Sequence, residues 1–474
     1  MKDKGKISRR AFVKGATASL AVTTTAFGNS DKKNKPLKQI SKKKNQIKKK
    51  VLTAVDNLRD DLIQLVCETV KIPSVTPGYP GPKYDSADGG ETKVAKYLKP
   101  VLEEIGLKTD MWEQEKGRAN IVGTLKGSGN GKSLIFNGHI DVVPSGSPEM
   151  WTAAKPWSGK IADGKIWGRG SCDMKGGNAA AIIALKAVLN AGYRPQGDVI
   201  LEYVVGEELM HTAAGIGAVI ERGYRADAAI VAEPSAPPYR LAIAPTSTGM
   251  LLMRVTVKGK AVHSSMRSEL VRAGGAGAKV GVNSIDKVMI IYQALNQLED
   301  QWGQAKSHPM YTRPGHFTIH PGVITGGPVG AFLISDESKI EYYISHAPQD
   351  TPEQVKEEVE AQIDMFAKTD SWLRENPPKV EWLVWWPPYD VSAEAPICKA
   401  VAAAYEAALE EDAKYYGFAA VDDAAFLNRA GIPAISIGPG SLAVAHAPNE
   451  YVEIAELVDA AKIYALSIIE WCGV

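Results

Sequence analysis

Short apolar runs and amphipathic stretches alternate along the first half of the chain. Residues 133–136, 198–205 and 228–232 are apolar runs with the length expected of buried strands. Residues 176–192 and 213–223 lie between these runs and carry apolar side chains at helical spacing. The alternation predicts an α/β fold with a mostly parallel sheet, in which ligands bind at the carboxyl ends of the strands.

The pattern changes after about residue 246. A β-rich stretch at residues 249–258 is followed by an amphipathic helix at 283–302, two further strands and a helix at 351–368. The first pattern resumes beyond the proline pairs at 377–378 and 387–388. We therefore predict a catalytic domain formed by residues 51–246 and 381–474, interrupted by an inserted α+β domain formed by residues 247–380.

The first 28 residues have the features of an export signal. Residues 8–14 read Ser-Arg-Arg-Ala-Phe-Val-Lys, and an uncharged run of Ala, Thr and other small residues follows at 15–27. This resembles a twin-arginine signal over residues 1–28, which implies export to the periplasm or another extracytoplasmic location. The alternative is a basic tail that contains an Arg pair by chance.

Charge is distributed unevenly along the 474 residues. Residues 1–50 contain 16 Lys and Arg against two acids, and residues 29–50, with ten lysines, are interpreted as a basic linker. This linker is either a solvated spacer or a segment that binds an anionic surface. The remaining residues carry 39 basic and 52 acidic side chains, a net charge of −13 that argues against a nucleic-acid partner.

Overall composition indicates a soluble globular protein. Hydrophobic residues make up 45% of the chain and charged residues 23%, and we predict no integral membrane span. The four cysteines are too few and too scattered for a disulfide framework or a cysteine zinc site.

Acids and histidines follow the predicted strands. Each lies just beyond a strand or in a glycine-rich turn before a helix, and the set is His139, Asp141, Asp173, Glu207, Glu208, Glu233 and His446. The carboxyl ends of parallel strands meet at one edge of a sheet, so these side chains are expected to lie close together. Carboxylates crowded in this way repel one another unless cations neutralise them.

These motifs resemble the co-catalytic zinc deacylases and peptidases that include acetylornithine deacetylase, succinyl-diaminopimelate desuccinylase and the glutamate carboxypeptidases. The resemblance runs from about residue 55 to the end of the chain. It implies two divalent metal ions, with Zn²⁺ expected and Co²⁺ or Mn²⁺ as alternatives. By this likeness one ion is held by His139, Asp173 and Glu233, and the other by Asp173, Glu208 and His446.

The same resemblance assigns the other catalytic roles. Asp141 would orient His139, and Glu207 would be the general base that takes a proton from the metal-bridging water. His263, in the segment Gly-Lys-Ala-Val-His-Ser-Ser at 259–265, looks like the lid histidine that donates to the oxyanion, often from the partner subunit of a homodimer. A surface histidine in a turn is the alternative for His263, and the role of His211 stays open.

Two departures from the family pattern concern the substrate. Residues 332–335 stand where family members commonly have Asn-x-x-Pro, and residues 343–346 stand where an Arg would hold the substrate carboxylate. Together with Trp385 and Trp386, this part of the chain most resembles the branch of N-formyl aminopyrimidine deformylases. Aromatic side chains there could stack on a planar ring, although core packing is the expected role of most of them.

We therefore predict a metal-dependent hydrolase that cleaves the amide bond of a small N-acyl or N-formyl compound. The alternative within enzymes is a metallocarboxypeptidase or dipeptidase. In that case Arg267 or Arg272 would have taken over recognition of the substrate carboxylate. A catalytically inert binding relative is the third hypothesis, and the complete set of ligands with a base argues against it.

Overall fold

The computed structural model describes residues 34–85, 89–327 and 330–474, with side chains from residue 42 onward. The predicted export signal at 1–28 lies outside these residues. The chain divides into two units, residues 1–47 and residues 48–474, and the second contains all the sheets. In the described part of the chain, no helix is long and apolar enough to cross a membrane.

The helices of the described residues are α1 (Asn34–Asn57), α2 (Arg59–Val70), α3 (Gly90–Glu104), α4 (Gly176–Asn190), α5 (Ile216–Glu221), α6 (Arg267–Val271), α7 (Ser284–Ala305), α8 (Pro352–Ala367), α9 (Ser371–Glu375), α10 (Pro396–Leu409), α11 (Ala424–Arg429) and α12 (Ile454–Cys472). The structure differs here from the predicted linker at 29–50, because residues 34–50 lie in α1. Lysine and glutamine are good helix formers, which explains a helical backbone in this segment.

The strands are β1 (Lys108–Glu115), β2 (Arg118–Leu125), β3 (Leu134–His139), β4 (Lys160–Ala162), β5 (Lys165–Trp167), β6 (Val199–Val204), β7 (Ala228–Val231), β8 (Ile243–Ser247), β9 (Gly249–Lys258), β10 (Val262–His263), β11 (Ile319–Gly326), β12 (Leu333–Ile334), β13 (Glu337–His346), β14 (Lys379–Trp386), β15 (Tyr415–Phe418), β16 (Ala434–Ser436) and β17 (Tyr451–Glu453).

An eight-stranded sheet forms the catalytic domain, in the order β1-β2-β6-β3-β7-β16-β8-β15. The pairs β6–β3, β3–β7, β7–β16 and β8–β15 are parallel, and the other three are antiparallel. All residues of β3, β6 and β7 are buried, as expected for central strands covered on both faces. The predicted, mostly parallel α/β sheet is confirmed.

The inserted domain, called the lid below, has its own antiparallel sheet in the order β11-β13-β9-β14. Helices α7 and α8 contact each other, and their apolar side chains pack with the sheet in one buried cluster. Asn283 caps α7 by accepting from the Ile285 amide, and Thr351 caps α8 in a capping box with Gln354. The predicted α+β character of this domain is confirmed.

The domain boundary differs from the one drawn from the sequence. Strand β14 pairs with β9 along its length, from Lys379 opposite Thr256 to Trp386 opposite Met250. The lid therefore extends through Trp386, whereas the predicted boundary at residues 380–381 falls inside this strand. An apolar, aromatic strand can pair in either domain, and the sequence does not show which neighbour it finds.

Candidate metal centre and active site

The predicted ligands lie at the carboxyl ends of three adjacent parallel strands and in two neighbouring loops. His139 ends β3, Glu208 follows β6 and Glu233 follows β7. Asp173 lies in the turn Ser171–Lys175 that leads into α4, and His446 lies in the loop that follows β16. The strand order β6-β3-β7 makes the first three ligands neighbours.

Asp173 lies between the two histidines and faces each with a different oxygen. Its Oδ1 is 3.1 Å from Nε2 of His139, and its Oδ2 is 3.2 Å from Nε2 of His446. Glu233 Oε1 is 3.5 Å from the His139 nitrogen, and Glu208 Oε2 is 2.8 Å from the His446 nitrogen. The five side chains thus form two groups of three that share Asp173.

The electrostatics of this cluster favour bound cations. Burial and the nearby Asp173 raise the pKa of Glu233 to about 8, and burial also raises the pKa of Glu208. Burial alone would lower the pKa of His446, but Glu208 and Asp173 outweigh it and raise this pKa to about 12. Glu233 therefore holds a proton at neutral pH, or a metal ion in its place.

The donor atoms fit Zn²⁺ or a similar divalent ion. Ligand atoms of His139, Asp173 and Glu208 all lie within 4.8 Å of one another. Imidazole nitrogens combined with carboxylate oxygens are ligands that Zn²⁺ accepts, and one carboxylate with an imidazole on each side is suited to bridging two ions.

Glu207 lies beside the cluster but farther from its histidines. Its Oε2 is 3.9 Å from Nε2 of His139, and only 12% of its side chain is exposed. Burial raises its pKa well above the usual range, with Glu233 and Glu208 adding to the effect against the opposing influence of His139. A carboxylate placed near the ligands without joining either group of three is available as a base.

Asp141 connects two of the ligand loops. The nearest partner of His139 Nδ1 is the main-chain oxygen of Asp141, at 2.9 Å, whereas the Asp141 carboxylate is 3.7 Å away. Its Oδ2 accepts a hydrogen bond from the Glu208 amide at 3.2 Å. Asp141 therefore orients His139 through its backbone and ties the His139 loop to the Glu208 loop.

A pocket of about 270 Å³ opens onto this cluster. Its walls include Asp173, Glu208, Glu233 and His446 together with the aromatic and apolar side chains of Tyr343, Trp386, Phe418 and Leu442. Burial, with a smaller contribution from Glu207, raises the pKa of Tyr343 to about 12. The Trp386 indole is held by a hydrogen bond from Nε1 to the Asp422 main-chain oxygen at 3.0 Å.

The profile of Peptidase family M20/M25/M40 matches residues 135–470. This chain belongs to that family. The sequence is 35% identical over 434 residues to an N-formyl-4-amino-5-aminomethyl-2-methylpyrimidine deformylase of Halalkalibacterium halodurans, covering 89% of this chain and 97% of the relative. A deformylase of the same name from Bacillus subtilis is 33% identical over 431 residues, covering 88% and 96%.

Solved structures of M20 enzymes share the fold. Human carnosine dipeptidase 1 aligns with a TM-score of 0.70 over 90% of this chain and 99% of its own, at 16% identity. The predicted family and the prediction of a metal-dependent amidohydrolase are both confirmed. The structure also brings together the side chains that the sequence analysis selected, since Asp173 lies within 3.2 Å of both His139 and His446 and Glu207 lies 3.9 Å from His139.

Sequence analysis missed an ion pair that supports the M20 ligands. Arg169 and Glu450 are both buried and form a hydrogen-bonded ion pair. Glu450 accepts from the amides of Cys172 and Asp173 at 2.9 and 3.2 Å, and Arg169 donates to the main-chain oxygen of His446 at 3.0 Å. The only sequence signals were an arginine four residues before Asp173 and an acid four residues after His446.

Asp423 is a second residue that sequence analysis missed. It is buried, and neither of its carboxylate oxygens has a hydrogen-bond partner within the described residues. Burial is the main cause of the raised pKa of Glu207, and the negative charge of Asp423 raises this pKa further.

His263 lies apart from the cluster. It belongs to the short lid strand β10, is exposed, and its Nδ1 faces the Ser265 hydroxyl at 2.8 Å. His211 contacts Arg118 instead, with Nδ1 3.2 Å from Nη1 of a guanidinium that also pairs with buried Glu91. His211 therefore belongs to a polar network with Arg118 and Glu91.

Proposed function

We propose that this M20 enzyme is a two-metal deformylase or deacylase whose substrate is a small N-acylated amine with a planar ring. The observation that carries the proposal is the pocket itself, in which Tyr343, Trp386 and Phe418 face the metal-binding acids. Aromatic walls favour a planar or apolar amine. The names of the two relatives describe deformylation of such a compound, an aminomethyl pyrimidine.

The pocket also lacks a partner for a substrate carboxylate. Among the described residues, its lining contains no Arg or Lys. Ser345, which stands near the expected position of the carboxylate-binding Arg, is buried in β13. This supports a substrate without an α-carboxylate over the amino-acid or dipeptide substrates of a carboxypeptidase or dipeptidase.

Glu207 has the position required of the general base. Divalent ions bound by the two groups of ligands would lower the pKa of water and polarise the amide carbonyl. Glu207 accepts a proton from the attacking water while the water oxygen bonds to the carbonyl carbon. The carboxyl then gives this proton to the nitrogen as the C–N bond breaks, which releases the carboxylic acid and the free amine.

We further propose a homodimer formed through the lid, with His263 supplied by the partner subunit. Strand β11 is an edge strand of the lid sheet, and Val323 and Ile324 on it are 49% and 59% exposed. An exposed apolar edge strand presents unpaired backbone groups with which a strand of another chain can pair. His263 is exposed on the same domain, so a dimer could bring it to the partner's oxyanion.

Export is the remaining proposal. The Arg pair, the Phe and the Lys at residues 8–14 support a twin-arginine signal and an extracytoplasmic location. Replacing both Arg9 and Arg10 by Lys should retain the protein in the cytoplasm, as measured by cell fractionation. Unchanged export of this variant would contradict the proposal.

A matched pair of substrates tests the proposed activity. We expect the zinc-loaded protein to hydrolyse an N-formyl arylmethylamine at least as well as the corresponding N-formyl aromatic amino acid. A bidentate Arg contact to a carboxylate would contribute roughly 1.5–3 kcal/mol, so a carboxypeptidase would prefer the amino acid strongly. A preference of more than about tenfold in kcat/KM for the amino acid would overturn the proposed substrate class.

A further inference from the structure

A second cavity lies on the catalytic domain at Pro144, whose main-chain oxygen accepts from Arg169 Nη2, the donor that also reaches the main-chain oxygen of His446. Its volume is about 350 Å³, and it is lined mainly by the segment of residues 76–85, including Thr76, Tyr79 and Lys83, together with Pro144. This segment contains three prolines, at positions 77, 80 and 82. Prolines restrict the backbone, so the segment is stiffer than a typical loop of this length.

Both ends of the 76–85 segment are anchored to the loop that follows His139. The Thr76 amide donates to the Val142 main-chain oxygen at 3.0 Å. At the other end, the Asp85 carboxylate accepts from the Ser145 amide at 2.7 Å and from Trp157 Nε1 at 2.9 Å. These bonds hold the segment against one of the ligand loops.

The middle of the segment approaches the other ligand loop. Gly78 lies next to Leu209, the residue after Glu208, since a Cβ at Gly78 would be 3.7 Å from the Leu209 side chain. Tyr79 is half-buried. Burial raises its pKa, as does Glu208, while His446 and Arg169 lower it. Tyr79 lines the 350 Å³ cavity, and the residue before it contacts the loop that carries Glu208.

The direction of the substrate follows from the two sides of the cluster. The aromatic pocket that suits the amine includes Tyr343 and Trp386, both from strands of the lid. The scissile carbonyl must lie between this pocket and the metal-binding cluster, within reach of Glu207. The acyl group then points away from the lid, toward the catalytic-domain segment that carries Tyr79.

We propose that Tyr79 determines acyl specificity, its ring limiting the acyl group to formyl or a similarly small group by closing off the cavity behind it. The inference rests on the proposed amide hydrolysis and adds the size class of the acyl group. Removing the ring should join the cavity to the active site. A pocket that admits or excludes one methylene changes kcat/KM by roughly 10–200-fold.

The test measures kcat/KM for N-formyl, N-acetyl and N-butanoyl derivatives of one arylmethylamine. The wild-type protein should prefer formyl, and Tyr79→Ala should reduce the formyl-to-butanoyl ratio at least tenfold. Tyr79→Phe, which keeps the ring, should retain the wild-type ratio. Pro80→Ala, at an exposed position of the same segment that does not line the cavity, should also retain it and controls for general loosening of the segment. If Tyr79→Ala does not fold, Tyr79→Leu should instead favour acetyl while still excluding butanoyl.

Several results would overturn the role of Tyr79 while leaving the proposed function intact. These are an unchanged ratio in the folded Tyr79→Ala and Tyr79→Leu variants, an equal change in Pro80→Ala, an equal change in Tyr79→Phe, and an active wild-type protein without acyl preference. Failure of the zinc-loaded wild-type protein to hydrolyse any of the three amides would instead overturn the proposed function, and the role of Tyr79 with it.

Discussion

Several carboxyl groups of this site are buried, and burial disfavours their charged form. Glu233 is 6% exposed, Glu208 and Glu207 lie next to it in the same pocket, and burial is the main cause of the raised pKa of each. Asp173 differs, because His139 and His446 outweigh its burial and lower its pKa. Bound cations would neutralise the negative charge of these carboxylates, and protons neutralise it when metal is absent.

The metal-free protein should therefore become less stable as the pH rises. Glu233 has a usual pKa of 4.5 and a folded pKa of about 8, so between these values the folded state holds more protons than the unfolded state. The contribution of Glu233 to the free energy of unfolding is fully present below pH 4.5 and is lost as the pH rises toward 8. We expect the Tm of the metal-free protein to fall over this range.

Adding Zn²⁺ should raise the Tm by a larger increment at pH 8 than at pH 5, because the ligands must be deprotonated to bind metal. Glu233→Gln in the metal-free protein is the matched control and should weaken the pH dependence. A metal-free Tm that rises between pH 5 and pH 8 would show that these acids are not the dominant buried charges.

Residue types and positions predicted from the sequence that these acids and histidines gather at one edge of the sheet, and the family resemblance divided them into two groups of ligands. Each ligand follows a strand or begins a turn, and the carboxyl ends of parallel strands converge for geometric reasons. The supporting Arg169–Glu450 pair was not predictable in the same way, since 281 residues separate its members and neither flanks a regular pattern. The main-chain contact from Asp141 to His139 depends on local backbone conformation, which residue identity does not determine.

At the scale of elements, the Arg169–Glu450 pair connects the turn before α4 with the loop before β17. Each side chain is buried, so removing one charge leaves the other without its partner. We expect Arg169→Met to reduce the free energy of unfolding by about 3–5 kcal/mol and to weaken metal binding through displaced Asp173 and His446.

The control for this prediction is Arg169→Lys, which retains the charge but not the forked donors and should have an intermediate effect. Chemical denaturation and metal titration of the three proteins provide the measurement. Wild-type stability and metal affinity in Arg169→Met would show that the pair does not support the ligands.

The order and type of most elements could be predicted, whereas one sheet assignment could not. Helix α8 begins after the predicted Thr351 and ends within one residue of the predicted position, because its capping residue and apolar spacing are both visible in the sequence. Strand β14 was divided between the domains, because its pairing with β9 joins residues more than 120 positions apart. Local patterns specify a strand but not its distant partner.

At the scale of the whole molecule, the site requires an oxyanion donor that the described cluster does not contain. His263 is the donor that the family resemblance indicates, and it lies on the lid away from the ligands. The proposed homodimer resolves this separation, since the lid of one subunit would complete the site of its partner.

Mixing two inactive variants tests this arrangement. His263→Ala lacks the donor and Glu207→Gln lacks the base, so a mixed dimer with His263 acting in trans contains one intact site. We expect part of the amide hydrolysis to return after subunit exchange, which mass spectrometry of the mixed species can verify. Verified exchange without any recovery would mean that His263 acts within its own subunit or not at all.

Metal content and turnover, measured together in wild type and Glu207→Gln, test most directly whether Glu207 is the base of a two-metal amidohydrolase. We expect both proteins to bind two Zn²⁺ per chain. Formate release from an N-formyl arylmethylamine should fall roughly 10²–10⁴-fold in the variant, because only the base is lost. His446→Ala should instead lose metal, which shows that the assay detects a missing ligand. Loss of metal in Glu207→Gln in step with its activity, or turnover at the wild-type rate, would contradict the assignment of Glu207 as the base of a two-metal amidohydrolase.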